Sequence, residues 1–433
     1  MTLAIVNGKV MVNGKLEDKN ILIENGKITK ITADKISSSD RLDASGKIVL
    51  PGLIDVHVHL REPGLTQKED FKTGTMAAAA GGVTTVFEMP NTNPATTTAE
   101  LLQKKRGLMK KKAVVNYGFY MGATADNINE IKRAENIAGV KLYTGSSTGD
   151  LLVTDANAIR DIFSSGKTIV VHAEDESLMQ RNAEEHKNEN DAEVHAKIRS
   201  GEVEAKAVRE AVEIALTAAN LKRLHFTHIS AKESIEIIRE AKKKIRSSCD
   251  VTPHHLFLTQ EELKKQGNFA KMNPALRSSE DVDALWKAIN SGVVDCIATD
   301  HAPHKKKEKE TDYMEAPSGV PGLETMLPLL LDAVNKKMLT LQQLVKLTSE
   351  NPARLFGIKN KVNLAVGADA DLVIVDMNME KEVENKKLFT KCKWSPFAGW
   401  KLKGWPTTTI VNGNVVYNEG KINNVKGKEV EFE

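Results

Sequence analysis

The chain has few cysteines, no long apolar run and almost no imbalance of charge. Its three cysteines, Cys249, Cys296 and Cys392, lie far apart and form no CxxC, which excludes a disulfide framework and a cysteine zinc site and fits a reducing cytoplasm. No apolar stretch approaches the roughly 20 residues a membrane helix needs, and the start MTLAIVNGKVMVNGK has no sustained apolar region. Lys and Arg number 61 against 58 Asp and Glu, a formal charge of +3, far from the basic footprint of a nucleic-acid-binding protein. Lysine-rich pieces such as KKRGLMKKK and REAKKKIR fall on apparent helix faces and read as solvated surface. With no repeat or low-complexity tract, these absences point to a soluble intracellular protein.

At 433 residues the chain suits a large α/β barrel with an accessory domain. Residues 1–50 read as short strands broken by Asn-Gly turns (LAIVNGKVMV, NILIENGKITKI), and the far end repeats that texture in ADLVIVDMN and TTTIVNGNVVYNEGKI. Both ends together, 1–50 and 363–433, are expected to build one small β-sandwich domain. Between them, 51–362 alternates strand and helix. The strand candidates are LIDVHVHL, VTTVFEMP, VVNYGFYMG, GVKLYTG, TIVVHAE, LHFTHIS, CDVTPHH and VVDCIATD. Eight such units predict a (β/α)₈ TIM-like barrel. The first helix is expected to start at a capping box of Thr66 and Glu69 and to stop at Gly81-Gly82.

The working residues of such barrels lie at the C-terminal strand ends, and the unusual polar residues fall there. His57 and His59 end strand one, Asn91 follows strand two, and Lys141 lies in strand four. His172 ends strand five, His228 strand six, and Asp300 with His304 strand eight. In an extended LIDVHVHLR, Ile54, Val56, Val58 and Leu60 face one way and Asp55, His57, His59 and Arg61 the other. One buried histidine is commonly a satisfied core residue, but four with an aspartate at one barrel end are hard to explain as separate packing events. Nitrogen and oxygen donors without thiolate suit zinc, or manganese or cobalt in its place.

Lys141 interrupts a strand expected to be buried on both faces, where an unpaired lysine is rare. It either snorkels or pairs with a carboxylate such as Glu174, or its neutral amine takes up carbon dioxide to form a carbamate bridging two metals. Arg61 is either an ordinary ion pair with Glu62 or Asp70, or a guanidinium that grips a carboxylate. His254 and His255 read as supports; His186, His195, His225 and His301 receive no role. The charged run at 305–316 reads as a solvated loop, with a mobile cover as the alternative.

The ordered set DVHVHLREPG, AAAAGGVTTVFEMPNTNP, VKLY, VHAED, THIS, DVTPHHL, KMNPALR, IATDHAPH and SPFAGW resembles the dihydroorotases of the amidohydrolase superfamily over almost the whole chain. The HxH strand alone marks only the superfamily; HLREPG and MPNTNP add substrate groups. The resemblance implies two Zn²⁺, one on His57, His59 and Asp300 and one on His172 and His228, bridged by carboxylated Lys141. Some branches use an aspartate instead, for which Asp150 stands nearby. It further implies a hydroxide held between the metals, Asp300 as proton carrier, and Arg61, Asn91 and His304 on the substrate carboxylate. Asn273 and the backbone of Ser318 and Gly319 resemble the ring-binding positions. The implied reaction interconverts N-carbamoyl-L-aspartate and L-dihydroorotate in pyrimidine biosynthesis. Homodimers and association with aspartate carbamoyltransferase occur in such enzymes. The rivals are allantoinase and the hydantoinase or dihydropyrimidinase group, whose substrates lack that carboxylate, and an inactive scaffold for aspartate carbamoyltransferase, which would be expected to have lost ligands.

Overall fold

The computed structural model describes residues 2–147, 151–361 and 363–433. Eight parallel strands follow one another in chain order: β1 (Leu53–Val58), β2 (Val83–Glu88), β3 (Asn116–Gly122), β4 (Gly139–Tyr143), β5 (Thr168–His172), β6 (Arg223–Phe226), β7 (Ser247–Val251) and β8 (Cys296–Ile297). The ring is nearly closed where Val58 bridges His301 and the His59 amide donates to the His301 carbonyl at 2.8 Å. The expected barrel is therefore present, and its strands are buried on both faces because helices cover the outside.

Two local details differ from simple periodicity. The register of β1 against β2 shifts between Asp55 and Val58, so the four residues expected on one face, Ile54, Val56, Val58 and Leu60, divide. Ile54 and Val56 pack with Phe87, Tyr120, Val170 and Ala298, whereas Val58 and Leu60 join the larger core with Phe71 and Leu327. A bulge adds a residue to one strand and turns its side chains locally. The first helix, Phe71–Ala80, starts later than expected: Asp70 is its cap, in a capping box with Thr73, and Gly81 ends it. Glu69 is fully buried and serves long-range partners, the Thr390 hydroxyl and the Lys391 amide, instead of a cap.

The two chain ends meet in a nine-stranded mixed sheet. Ile48–Pro51 from the N-terminal part pairs antiparallel with Leu372–Glu382 from the C-terminal part. Leu3, Ile5, Ile21, Ile23, Val49, Leu372 and Ile374 form its separate core. Asn13-Gly14 turns as expected, with φ of 49° and 75°, the pair of left-handed residues a two-residue hairpin requires. Asn7-Gly8 does not turn: the strand Thr2–Val12 runs through it with a register shift between Ile5 and Gly8.

Candidate active site

Barrel closure brings the ends of β1 and β8 together. The Asp55 carboxylate accepts from the His57 amide and the Thr299 amide, each at 3.1 Å, and from the Thr299 hydroxyl at 2.5 Å, tying the two strand ends. His57 Nε2 and His59 Nε2 then lie 3.2 Å apart, and Asp300 Oδ1 lies 3.2 Å from the first and 2.9 Å from the second. Asn91 Oδ1 is 2.7 Å from His59 Nδ1; it accepts that N–H and leaves the Nε2 lone pair facing inward. Burial, then the charge of Lys141, pushes the His57 pKa well down, and burial also lowers that of His59. Neutral imidazoles beside a carboxylate oxygen are the donor set a divalent cation requires, and these three residues form a group able to hold one.

A second pair stands alongside. His172 Nδ1 and His228 Nε2 are 2.9 Å apart, and the His57 and His228 rings are 5.3 Å apart between centroids. His172 Nε2 donates to Glu174 at 2.7 Å, which fixes the tautomer and leaves Nδ1 as the inward lone pair. Burial alone would raise the Glu174 carboxyl, but the Arg199 guanidinium and the His172 N–H bring it down to about 2. Asp250 accepts the His228 amide at 2.7 Å and also holds His225 at 2.9 Å. His228, Asp300 and Arg61 have φ of 43°, 46° and 62°. Left-handed non-glycine residues are uncommon, and these three converge on one site.

Lys141 lies between Val140 and Leu142, both in the outer core, so its side chain points into the barrel. It is fully buried, and burial pulls its pKa down to about 7. Its Nζ donates to Thr227 Oγ1 at 3.0 Å, and among the described residues it forms no salt bridge. Glu174, its alternative partner, is committed to His172 and Arg199. Asp150 lies outside the described residues.

The same cleft is lined by Arg61, Asn91, Tyr143, Asn273, Ser318 and Gly319 together with the four histidines and Asp300. Arg61 lies beyond the end of β1, so a left-handed turn, not strand parity, aims it. Its Nε donates to the Pro303 carbonyl at 3.2 Å, and Nη2 is 3.0 Å from His304 Nε2. Neither Glu62 nor Asp70 pairs with it; they bind Lys112 and Lys391. Asn273 Oδ1 lies 3.0 Å from His195 Nε2, a histidine left without a role in the sequence reading. Gly319 has φ 134°, and a Cβ there would stand 2.5 Å from the Ala302 carbonyl oxygen, so no other residue fits. His255 bonds Thr252 Oγ1 and the Pro274 carbonyl at 2.8 and 3.1 Å, a supporting place as expected. The 305–316 segment is less solvated than its charge implies. Lys309 is buried, donating to the carbonyls of Lys271, Pro317 and Gly319 at 2.8–3.1 Å, and Tyr313 is buried too.

Residues 48–416 match the model of the amidohydrolase family. The chain belongs to the amidohydrolase family. It is 41% identical to a dihydroorotase of Methanosarcina acetivorans, covering 98% of this chain and 94% of that one. It is 40% identical to a dihydroorotase of Staphylococcus epidermidis, covering 96% and 99%. Among solved structures, L-hydantoinase (dihydropyrimidinase) from Arthrobacter aurescens is similar at 31% identity and a TM-score of 0.95, with 99% of each chain covered. The dihydropyrimidinase of Brevibacillus agri follows the same course at 26% identity and a TM-score of 0.92, with both chains fully covered.

As an amidohydrolase, the protein is a hydrolase acting on a small molecule, in a family that is generally metal-dependent. Sequence reasoning gave no role to Asp55 or Asp250, and named Glu174 only as a partner for Lys141, whereas it binds His172 and Arg199. Asp55 and Asp250 carried a usable signal, since each is a carboxylate inside a strand expected to be buried on both faces. The pairing of Glu174 with His172 carried none, because the partner of a loop carboxylate is set by tertiary contacts. Among the described residues no helix is long and apolar enough to cross a membrane.

Proposed function

We propose that this amidohydrolase is a dihydroorotase, closing N-carbamoyl-L-aspartate to L-dihydroorotate and reopening it. The observation that carries the reading is Arg61, a buried guanidinium that forms no salt bridge among the described residues, at the edge of the cleft that holds the histidines. A carboxylate is the group such a guanidinium binds through two parallel hydrogen bonds.

The donors fit two divalent ions, zinc by their chemistry. His57, His59 and Asp300 would hold one and His172 and His228 the other. Lys141 would join them after its neutral amine attacks carbon dioxide, forming an N–C bond and releasing a proton. When bound, such ions polarise a carbonyl and lower the pKa of water. Asp300 uses Oδ1 against both imidazoles, and its other oxygen, Oδ2, carries the proton between the attacking water and the ring amide nitrogen. Arg61, Asn91 and His304 orient the substrate through its carboxylate, and Asn273 with the backbone at Ser318 and Gly319 holds the ring.

The likeness to L-hydantoinase favours a second reading, a hydantoin ring in the same cleft. Such a ring has no carboxylate and would leave Arg61 buried without an anion. The test is turnover of L-dihydroorotate by the purified protein, beside 5-substituted hydantoins and allantoin, each with and without a chelator. Chelator-sensitive turnover of dihydroorotate alone is the expected result. Turnover of the hydantoins with dihydroorotate untouched would overturn the reading in favour of the second.

A further inference from the structure

His304 has no exposed surface and stands between two cations. Lys68 Nζ is 3.0 Å from its Nδ1, Arg61 Nη2 is 3.0 Å from its Nε2, and the Ser318 carbonyl oxygen is 3.0 Å from that same Nε2. Burial and the charges of Arg61, Lys68 and Lys309 hold the imidazole well below its usual pKa, so it is neutral, with one N–H and one lone pair. An ammonium offers only hydrogens, so Nδ1 must accept from Lys68. The ring proton then sits on Nε2 and donates to the Ser318 carbonyl. A guanidinium also only donates, so Arg61 Nη2 finds no lone pair on Nε2. The ring proton is satisfied by Ser318, and the Arg61 N–H at the cleft edge is the donor that finds no acceptor on His304.

We propose that Lys68 is a positioning residue: it holds His304 in the Nε2–H tautomer and thereby keeps an Arg61 N–H free for the substrate carboxylate. The proposal rests on the dihydroorotase reading and adds a part to it. Glu308 supplies the alternative. Its Oε1 pairs with Lys68 at 3.2 Å and its Oε2 lies 4.0 Å from His304 Nδ1. Without Lys68 the ring proton can move to Nδ1 and face Glu308. Nε2 then becomes an acceptor and captures the Arg61 N–H, so the donor kept for the substrate is tied to the protein.

The experiment compares Lys68→Met and Lys68→Arg in the metal-loaded enzyme, with Lys68→Gln as a second variant should methionine impair folding. It reads kcat and KM for L-dihydroorotate, metal content, and the tautomer of His304 from ring ¹⁵N shifts. Loss of one charge-assisted hydrogen bond predicts a KM raised about tenfold or more. In the methionine variant kcat and metal content should stay near wild type, with the ring proton moved to Nδ1, and arginine should restore both KM and tautomer. An unchanged tautomer, or a fall in kcat and metal content with KM constant, would overturn the proposal. Wild-type protein inert on dihydroorotate would instead defeat the functional reading, and the ¹⁵N comparison would still decide whether Lys68 sets the tautomer.

Discussion

Replacing Arg61 with methionine separates binding from folding. Arg61 is 2% exposed, and among the described residues its polar contacts are the Pro303 carbonyl and the His304 ring, with no salt bridge. Methionine keeps comparable length and loses the charge. A carboxylate gripped through two charge-assisted hydrogen bonds gains about 1.5–3 kcal/mol from each. Loss of both predicts a decrease of about 10²–10⁴ in kcat/KM for L-dihydroorotate. Stability should move the other way or not at all, because an unpaired buried charge costs several kcal/mol and an apolar replacement removes that cost. The left-handed backbone at φ 62° is common to both side chains and cancels. The assay is kcat/KM, metal content and Tm measured on the same preparations. Near-normal kcat/KM, or loss of metal and a lowered Tm in step with the activity, would refute the reasoning and make Arg61 a prop for the turn after β1.

Lys141→Ala should lose both metal and activity, and short carboxylic acids should restore part of each by standing in for the carbamate; full activity in the variant would move the bridge elsewhere. Asn91→Ala removes the acceptor at His59 Nδ1 and should weaken metal binding by about 10–100-fold, read by competition with a chromogenic chelator; an unaltered metal affinity would count against the tautomer assignment. His195 is driven to a pKa of about 3, chiefly by burial and then by the charges of Arg199 and Lys271. The unfolded chain therefore binds a proton below about 6.5 that the folded protein refuses, so this residue stabilises fully above that pH and progressively less as pH falls towards 3. His195→Gln should flatten the acid limb of stability between those values in urea unfolding, and an unchanged limb would refute the assignment.

The alternation of strand and helix was legible because a short run of residues records its own burial. TIVVHAE can be read without knowing its neighbours and became a strand as far as His172, whereas CDVTPHH is strand only to Val251, after which Thr252 caps a short helix, Pro253–Phe257. The candidate donor types were legible for a related reason, since histidine and aspartate at the ends of apolar strands conflict with packing. Asn-Gly at 13 and 14 turned the chain, yet Asn7-Gly8 became a bulge because a neighbouring strand pairs along both sides of it. Thr66 and Glu69 had the pattern of a cap, but Glu69 went to Thr390, 321 residues away.

From the sequence alone came the barrel class, the inventory of donors and the residue types suited to a carboxylate. These depend on backbone geometry over a few residues and on the cost of burying polar groups. Only the tertiary structure decided which of those donors face one another. His59 and Asp300 are 241 positions apart yet 2.9 Å apart in space, because barrel closure brings β8 against β1. The bulge in β1, the turn that aims Arg61 and the cation behind His304 were decided the same way. Each is a contact between distant segments, and no local pattern carries the side chain that will stand opposite once the chain has closed on itself.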